Sequence, residues 1–171
     1  MNSLHDLEVA AVVGVQRYVP AGAARRGSHV LGRVGEHAIG WIALGLLGAT
    51  ADPPRRREWL EATATVVGAH AVSVVLKRVV RRRRPGAPEI RVLDTAPSAW
   101  SFPSSHAAST AAAAVVYSRL LGHRWLWALV PAMMASRVAL GVHYPSDVVA
   151  GSAVGVAMGR WLGPRPVGTR T

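Results

Sequence analysis

Apolar residues along the chain gather into five blocks, each about 17 to 20 residues long and separated by polar breaks. That length is close to the ~20 residues a helix needs to cross ~30 Å of hydrocarbon. The first block runs from Val30 to Thr50 and stops at ADPPRRRE, whose paired prolines cannot continue a helix. The second runs from Trp59 to Val80 and closes in the basic run KRVVRRRRP. A proline-containing loop from Gly86 to Ser104 follows. The third block, Ser105 to Leu121, is rich in alanine; the fourth, Trp125 to Val142, contains Pro131; the fifth runs from Ser146 to Leu162. Ahead of them, Leu4 to Val19 has apolar residues at 4, 7, 11, 12 and 15 but carries Asp6 and Glu8. It reads as a short interfacial helix rather than a span.

The blocks therefore predict an all-α fold, a polytopic membrane bundle of about five transmembrane helices plus an N-terminal interfacial helix. Small residues dominate them, as in HAASTAAAA and GSAVGVAMG, and such residues let helix backbones approach closely in lipid. Indoles at block edges, among them Trp59, Trp100, Trp125 and Trp161, suit an interfacial belt, although Trp41 falls inside a block. The predicted organisation is an N-terminal helix and linker over residues 1–27, a membrane domain over 28–163, and a polar tail over 164–171.

Composition narrows the function. The 171 residues hold 20 Lys plus Arg against 9 Asp plus Glu, a net charge of +11, with half the residues apolar and no cysteine. The apolar half excludes a disordered basic tail, and the missing thiols exclude disulfides, thiolate metal sites and a cysteine nucleophile. No positive stretch precedes the first apolar run, so no cleaved signal peptide is expected. The excess charge fits nucleic acid, anionic lipid or an anionic substrate. Basic residues at block ends rather than on one soluble face disfavour nucleic acid.

Five spans alternate their connections between the two faces. The end of the second block, the Gly86 to Ser104 loop, the start of the third, the end of the fourth and the start of the fifth then share one face. Lys77, Arg84, Ser104, His106, Arg137, His143 and Asp147 all lie there. Lys77 and Arg84 are seven residues apart, which puts both on one side of a helix expected to end at Arg84, before Pro85. The cluster suits either a phosphate site or a polybasic anchor, with Arg81 to Arg83 facing headgroups. Ser104 before a helix is a cap that leaves backbone N–H groups for an anion, and His106 in the first turn can donate a proton. Arg137 inside an apolar block is expensive unless it serves a pocket. Pro145 suits the first position of the fifth helix, with Asp147 in its first turn. Asp147 can then accept the Nδ1 proton of His143 and leave Nε2 as a nucleophile. Three cations nearby disfavour a metal on the same residues.

These residues resemble the type-2 phosphatidic acid phosphatases, which share a helical fold with vanadium haloperoxidases. The family's signatures are Lys, six residues, Arg-Pro; Pro-Ser-Gly-His; and Ser-Arg, five residues, His, three residues, Asp. They stand here as Lys77 to Pro85, Pro103 to His106 and Ser136 to Asp147, with Ser105 where the family usually has glycine. The resemblance covers residues 28–163. It implies phosphate binding by Lys77, Arg84, Arg137 and Ser104, with Ser105 beside them. It further implies a phosphohistidine on His143 supported by Asp147, protonation of the leaving oxygen by His106, and no metal or cofactor.

Within the family, GEHAIGW, RRREW and KRVVRRRRP look like the actinobacterial decaprenylphosphoryl-5-phosphoribose phosphatases, which act on the route to cell-wall arabinan. That implies a polyprenyl phospho-sugar substrate and membrane lipid as partners. Glu36 and His37 are then candidate headgroup contacts, or equally a polar pair between helices. Polyprenyl diphosphate and phosphatidic acid are alternative substrates, and a non-catalytic protein binding anionic lipid is the alternative outside enzymology. Localisation is a multi-pass plasma-membrane protein. Lys plus Arg number about 12 on the active face and about 8 opposite, or about 9 against 8 without the three phosphate ligands, so charge alone sets no orientation. The cytoplasmic active face follows from the subfamily's substrate, thought to be made there.

Overall fold

The computed structural model describes residues 3–22 and 38–164. The expectations for Glu36, His37 and the tail beyond residue 164 fall outside them. Helix α1 (Leu4–Tyr18) starts from a reciprocal cap: Ser3 Oγ accepts the Asp6 N–H at 3.2 Å and Asp6 Oδ2 accepts the Ser3 N–H at 2.9 Å. Helix α2 (Ile39–Ala51) stops at Asp52, before the two prolines, which open a 3₁₀ turn leading into α3 (Arg56–Val80). A long loop leads to α4 (Ser105–Leu121). A 3₁₀ turn at Trp125–Ala128 opens α5 (Leu129–Ala139), and α6 (Pro145–Trp161) closes the fold. No strand occurs among the described residues; one isolated bridge pairs Arg83 with Trp100.

Helix α4 is the axis of the bundle, buried on nearly every side and packed on α3 and α6. Its alanines make this practical. Opposite them on α6, a Cβ added at Gly155 would sit 2.1 Å from the Ala108 carbonyl oxygen, and one at Gly151 would sit 2.3 Å from that of Ser104. The two backbones are in contact, so glycine at these positions is a steric requirement. The other end of the core is larger and partly polar. Trp59 stacks on Tyr117 with ring centroids 5.7 Å apart, the Tyr117 hydroxyl donates to the Trp41 carbonyl at 2.8 Å, and the Trp41 indole reaches Thr110 at 3.3 Å. Trp41 is therefore a core residue, which accounts for its place inside a block.

The outside of the bundle is apolar. Ile39, Leu47, Leu60, Val75, Val79 and Val149 are all exposed, as lipid-facing residues are. Pro53–Val80 is the one helical stretch among the described residues long and apolar enough to cross a membrane, with shorter apolar helices at Ile39–Ala51 and Trp125–Ala139. The blocks thus form helices of unequal length and surroundings. Helix α4 faces other helices rather than lipid, so alanine suffices, and the fourth block breaks into a 3₁₀ turn and an 11-residue helix that ends before Val142.

The packing predicts that Gly155→Ala, whose methyl would strike the Ala108 backbone, destabilises the protein by about 1–3 kcal/mol. At about 2–4 °C per kcal/mol this appears as a lower Tm in detergent. Gly14→Ala is the matching control, because nothing lies within 4 Å of its added Cβ; its Tm is expected to hold or rise through helix propensity.

Candidate active site

Each polar segment reaches the site by a local rule. Helix α3 ends at Val80 because Arg81 adopts a left-handed conformation (φ 52°) that no helix continues. The chain then runs extended, and the Ser101 N–H donates to the Arg82 carbonyl at 2.8 Å. Ser104 caps α4: it is fully buried, its Oγ accepts the Ala107 N–H, and its own N–H donates to the Asp147 carbonyl at 2.9 Å. Ser105 follows, also buried, at the first position of α4. At the start of α6 Pro145 takes the first position, as the sequence predicts, and Asp147 Oδ2 accepts the Tyr144 N–H at 2.8 Å.

Around this frame Lys77 Nζ donates to the carbonyls of Ser101 at 2.9 Å and Trp100 at 3.3 Å, which ties the end of α3 to the loop. Arg84 Nε donates to the Ser98 carbonyl at 2.8 Å, and Nη1 to the Val142 carbonyl at 2.7 Å. The same Nη1 lies 3.3 Å from His143 Nε2. Arginine offers only donors, so this contact requires a lone pair on Nε2 and assigns the ring proton to Nδ1. Nδ1 lies 3.4 Å from Asp147 Oδ2, within electrostatic reach but longer than a well-formed hydrogen bond. Both residues are buried, Asp147 completely. Arg137 is buried at the end of α5 and bonds the Ser136 hydroxyl at 3.1 Å. His106 lies within electrostatic reach of Arg137, His143 and Lys77.

The chemistry available is that of a cationic cluster around a neutral imidazole. Lys77, Arg84 and Arg137 supply three positive charges, and Asp147 behind the ring can steady positive charge that develops on it. Burial pushes His143 down to about 4; the Asp147 carboxylate opposes this, and Lys77 and Arg84 add to it. The ring is therefore unprotonated, as a nucleophile must be, throughout the neutral range.

Residues 58–164 match the PAP2 superfamily. The chain is 50% identical over 153 residues to the decaprenylphosphoryl-5-phosphoribose phosphatase of Mycobacterium tuberculosis, covering 89% of this chain and 86% of that protein. It is 52% identical over 125 residues to the phosphatase of the same name from Mycolicibacterium smegmatis, covering 73% and 69%. This chain belongs to the PAP2 superfamily. Among solved structures, Aquifex aeolicus LpxE superposes with a TM-score of 0.74 at 19% identity, covering 90% of this chain and 93% of that one. The transmembrane PAP2 type phosphatidylglycerolphosphate phosphatase of Bacillus subtilis shares the fold with a TM-score of 0.70 at 19% identity, covering 90% of this chain and 83% of that one.

Two features of the PAP2 site depart from the sequence reading. Lys77 and Arg84 do not share a helix face, because α3 ends four residues before Arg84; they reach the site from a helix end and from an extended segment. Arg82 does not face headgroups. It turns inward, with Nη1 3.0 Å from Asp147 Oδ1 and 2.6 Å from the Ser146 hydroxyl, while Nη2 pairs with Glu8 of α1. Its guanidinium also lies 4.3 Å over the Tyr144 ring. Spacing could have suggested Glu8, because Glu8, Val12 and Gln16 form an i, i+4, i+8 stripe, and that stripe is the buried face of α1.

The depressed His143 value makes a direct prediction. In histidine-labelled protein in detergent, the His143 ring is expected to keep the NMR shifts of neutral imidazole at pH 5.5 and to take up a proton only near pH 4. An unfolded histidine protonates near ~6.5, so His143 withdraws stability as pH falls from there towards 4. A ring that titrates at pH 6 or above in the folded protein contradicts the site described here.

Proposed function

We propose that this chain is a polyprenyl-lipid phosphatase that removes the 5-phosphate of decaprenylphosphoryl-5-phosphoribose through a phosphohistidine intermediate. The observation that carries the chemistry is the Arg84 contact at 3.3 Å, which leaves His143 Nε2 with a lone pair inside a cationic pocket. The 50% identity to the mycobacterial phosphatase carries the substrate.

In this reading Lys77, Arg84, Arg137 and the Ser104–Ser105 helix start hold the phosphate, and His143 Nε2 attacks phosphorus. The P–O bond to the ribose 5-oxygen breaks as His106, protonated in the complex with the anionic phosphate, gives that oxygen its proton. Asp147 offsets the charge of the phosphorylated ring. Water then attacks the phosphohistidine, giving its proton back to His106, and inorganic phosphate leaves with His143 restored. No step calls on a metal or cofactor. The catalytic unit is residues 28–163, with α1 packed against the catalytic end, and the polyprenyl tail stays in lipid beside the exposed apolar faces of α2 and α3. The active end faces the cytoplasm.

His143→Ala is expected to reduce phosphate release from decaprenylphosphoryl-5-phosphoribose in detergent to background, and His106→Ala to reduce it by about 10²–10⁴-fold. If both variants match the parent, the protein is a lipid binder rather than a phosphatase. Polyprenyl diphosphate and phosphatidic acid belong in the same assay, and faster turnover of either removes the phosphoribose assignment while leaving the family untouched. Sidedness is tested separately, and the absence of native cysteine makes the test clean. A membrane-impermeant maleimide added to intact cells should label Arg57→Cys, in the polar break opposite, and spare Thr95→Cys in the loop at the active end. The reverse pattern places the site outside.

A further inference from the structure

Helix α1 is bound to the catalytic end by charge. Glu8 is buried (6% exposed), with one carboxylate oxygen paired to Arg82 and the other accepting the Ser146 N–H at 3.1 Å. Burial on its own pushes the Glu8 carboxyl up, but bonds from Ser146 and Arg82 hold it below its usual range, so it is an anion. Arg82 is thus clamped between two buried carboxylates, Glu8 and Asp147, and its fork also holds the Ser146 hydroxyl. Asp147 in turn presents its other oxygen to His143.

The sequence of charges matters. Arg82 alone would fix the Asp147 carboxylate but neutralise it, and a neutralised carboxylate cannot steady a ring that becomes positive on phosphorylation. Glu8 cancels the arginine. The Glu8–Arg82–Asp147 set then keeps one net negative charge behind His143, while the planar fork sets the carboxylate's orientation. We infer that Glu8 and Arg82 are positioning residues for the phosphatase reaction, through which the N-terminal helix supplies the charge balance that lets Asp147 support His143. The inference rests on the phosphohistidine reading of the same site.

An ordinary docking salt bridge would alter stability alone, and α1 has a second anchor that keeps the test feasible. The Gln16 side chain donates to the carbonyls of Arg91 at 2.7 Å and Ala139 at 3.0 Å, and accepts the Arg91 N–H at 3.0 Å. Glu8→Gln, Arg82→Met and the double variant of the full chain are compared in detergent on decaprenylphosphoryl-5-phosphoribose. Tm and the His143 NMR titration are recorded alongside. Glu8→Gln is expected to lower kcat about tenfold without raising KM, because the site gains positive charge towards the phosphate, and to move the His143 titration further down. The His143 ring faces Lys77 from α3, Arg84 from the loop, His106 from α4 and Asp147 from α6, and only the balance at Asp147 changes. The double variant is expected to be more active than Arg82→Met alone, since it removes two opposite charges rather than leaving two carboxylates in opposition. Parent-like kcat and an unmoved His143 titration in Glu8→Gln overturn the inference, as do effects that simply multiply in the double variant. His143→Ala run in parallel separates the failures: residual turnover there overturns the phosphohistidine reading, whereas its loss with full activity in Glu8→Gln overturns the positioning pair alone.

Discussion

A fully buried carboxylate is the constraint on which the catalytic end of this protein is built. An ionised Asp147 without partners would cost several kcal/mol, so the fold surrounds it with donors. The Tyr144 N–H and the Arg82 guanidinium satisfy its side chain, and its backbone carbonyl receives the Ser104 N–H. Those three partners come from the α5–α6 loop, the segment after α3 and the cap of α4. Meeting the needs of one aspartate therefore brings together the segment after α3, the start of α4 and the loop that carries His143.

That arrangement depends in turn on how closely α4 and α6 pack. The Ser104 carbonyl sits against Gly151, one turn along α6 from Asp147, where any side chain would collide with it at 2.3 Å. The small residues usually credited with helix association also set the distance between the α4 start and the base of α6. Packing and catalysis share the same contact, and a methyl group at Gly151 would act on the site as well as on stability.

Much of this was legible in the chain, because it is local. Ser104 reads as a cap, Pro145 as a helix start and Asp147 as a first-turn acid, since each follows from backbone geometry within four residues. The order and spacing of Lys77, Arg84, His106, Arg137, His143 and Asp147 carried the family, and alternating spans placed them at one end. What the sequence hid is non-local or conformational. Arg81 ends α3 through a left-handed backbone that its residue type does not announce. The Glu8–Arg82 pair joins residues 74 positions apart, and composition counts Arg82 as one more member of a basic run. Five apolar blocks of similar length suggested five similar spans, but hydropathy does not distinguish a helix facing lipid from one facing other helices, and α4 is the latter.

The Arg84–His143 contact adds a step that no motif contains. In the free site Arg84 Nη1 points at the lone pair proposed to attack phosphorus, while also donating to the Val142 carbonyl. For the proposed reaction to begin, that N–H has to move from Nε2 to a phosphate oxygen, and the substrate supplies the acceptor that makes the exchange favourable. Arg84 is held at Nε by the Ser98 carbonyl at 2.8 Å, which anchors the guanidinium through the exchange. In the proposed reaction the nucleophile is thereby covered until a phosphate arrives and uncovered by the same group that binds it. With Asp147 kept anionic behind the ring, the same proposal has the histidine neutral, oriented and exposed to phosphorus only while substrate is in place.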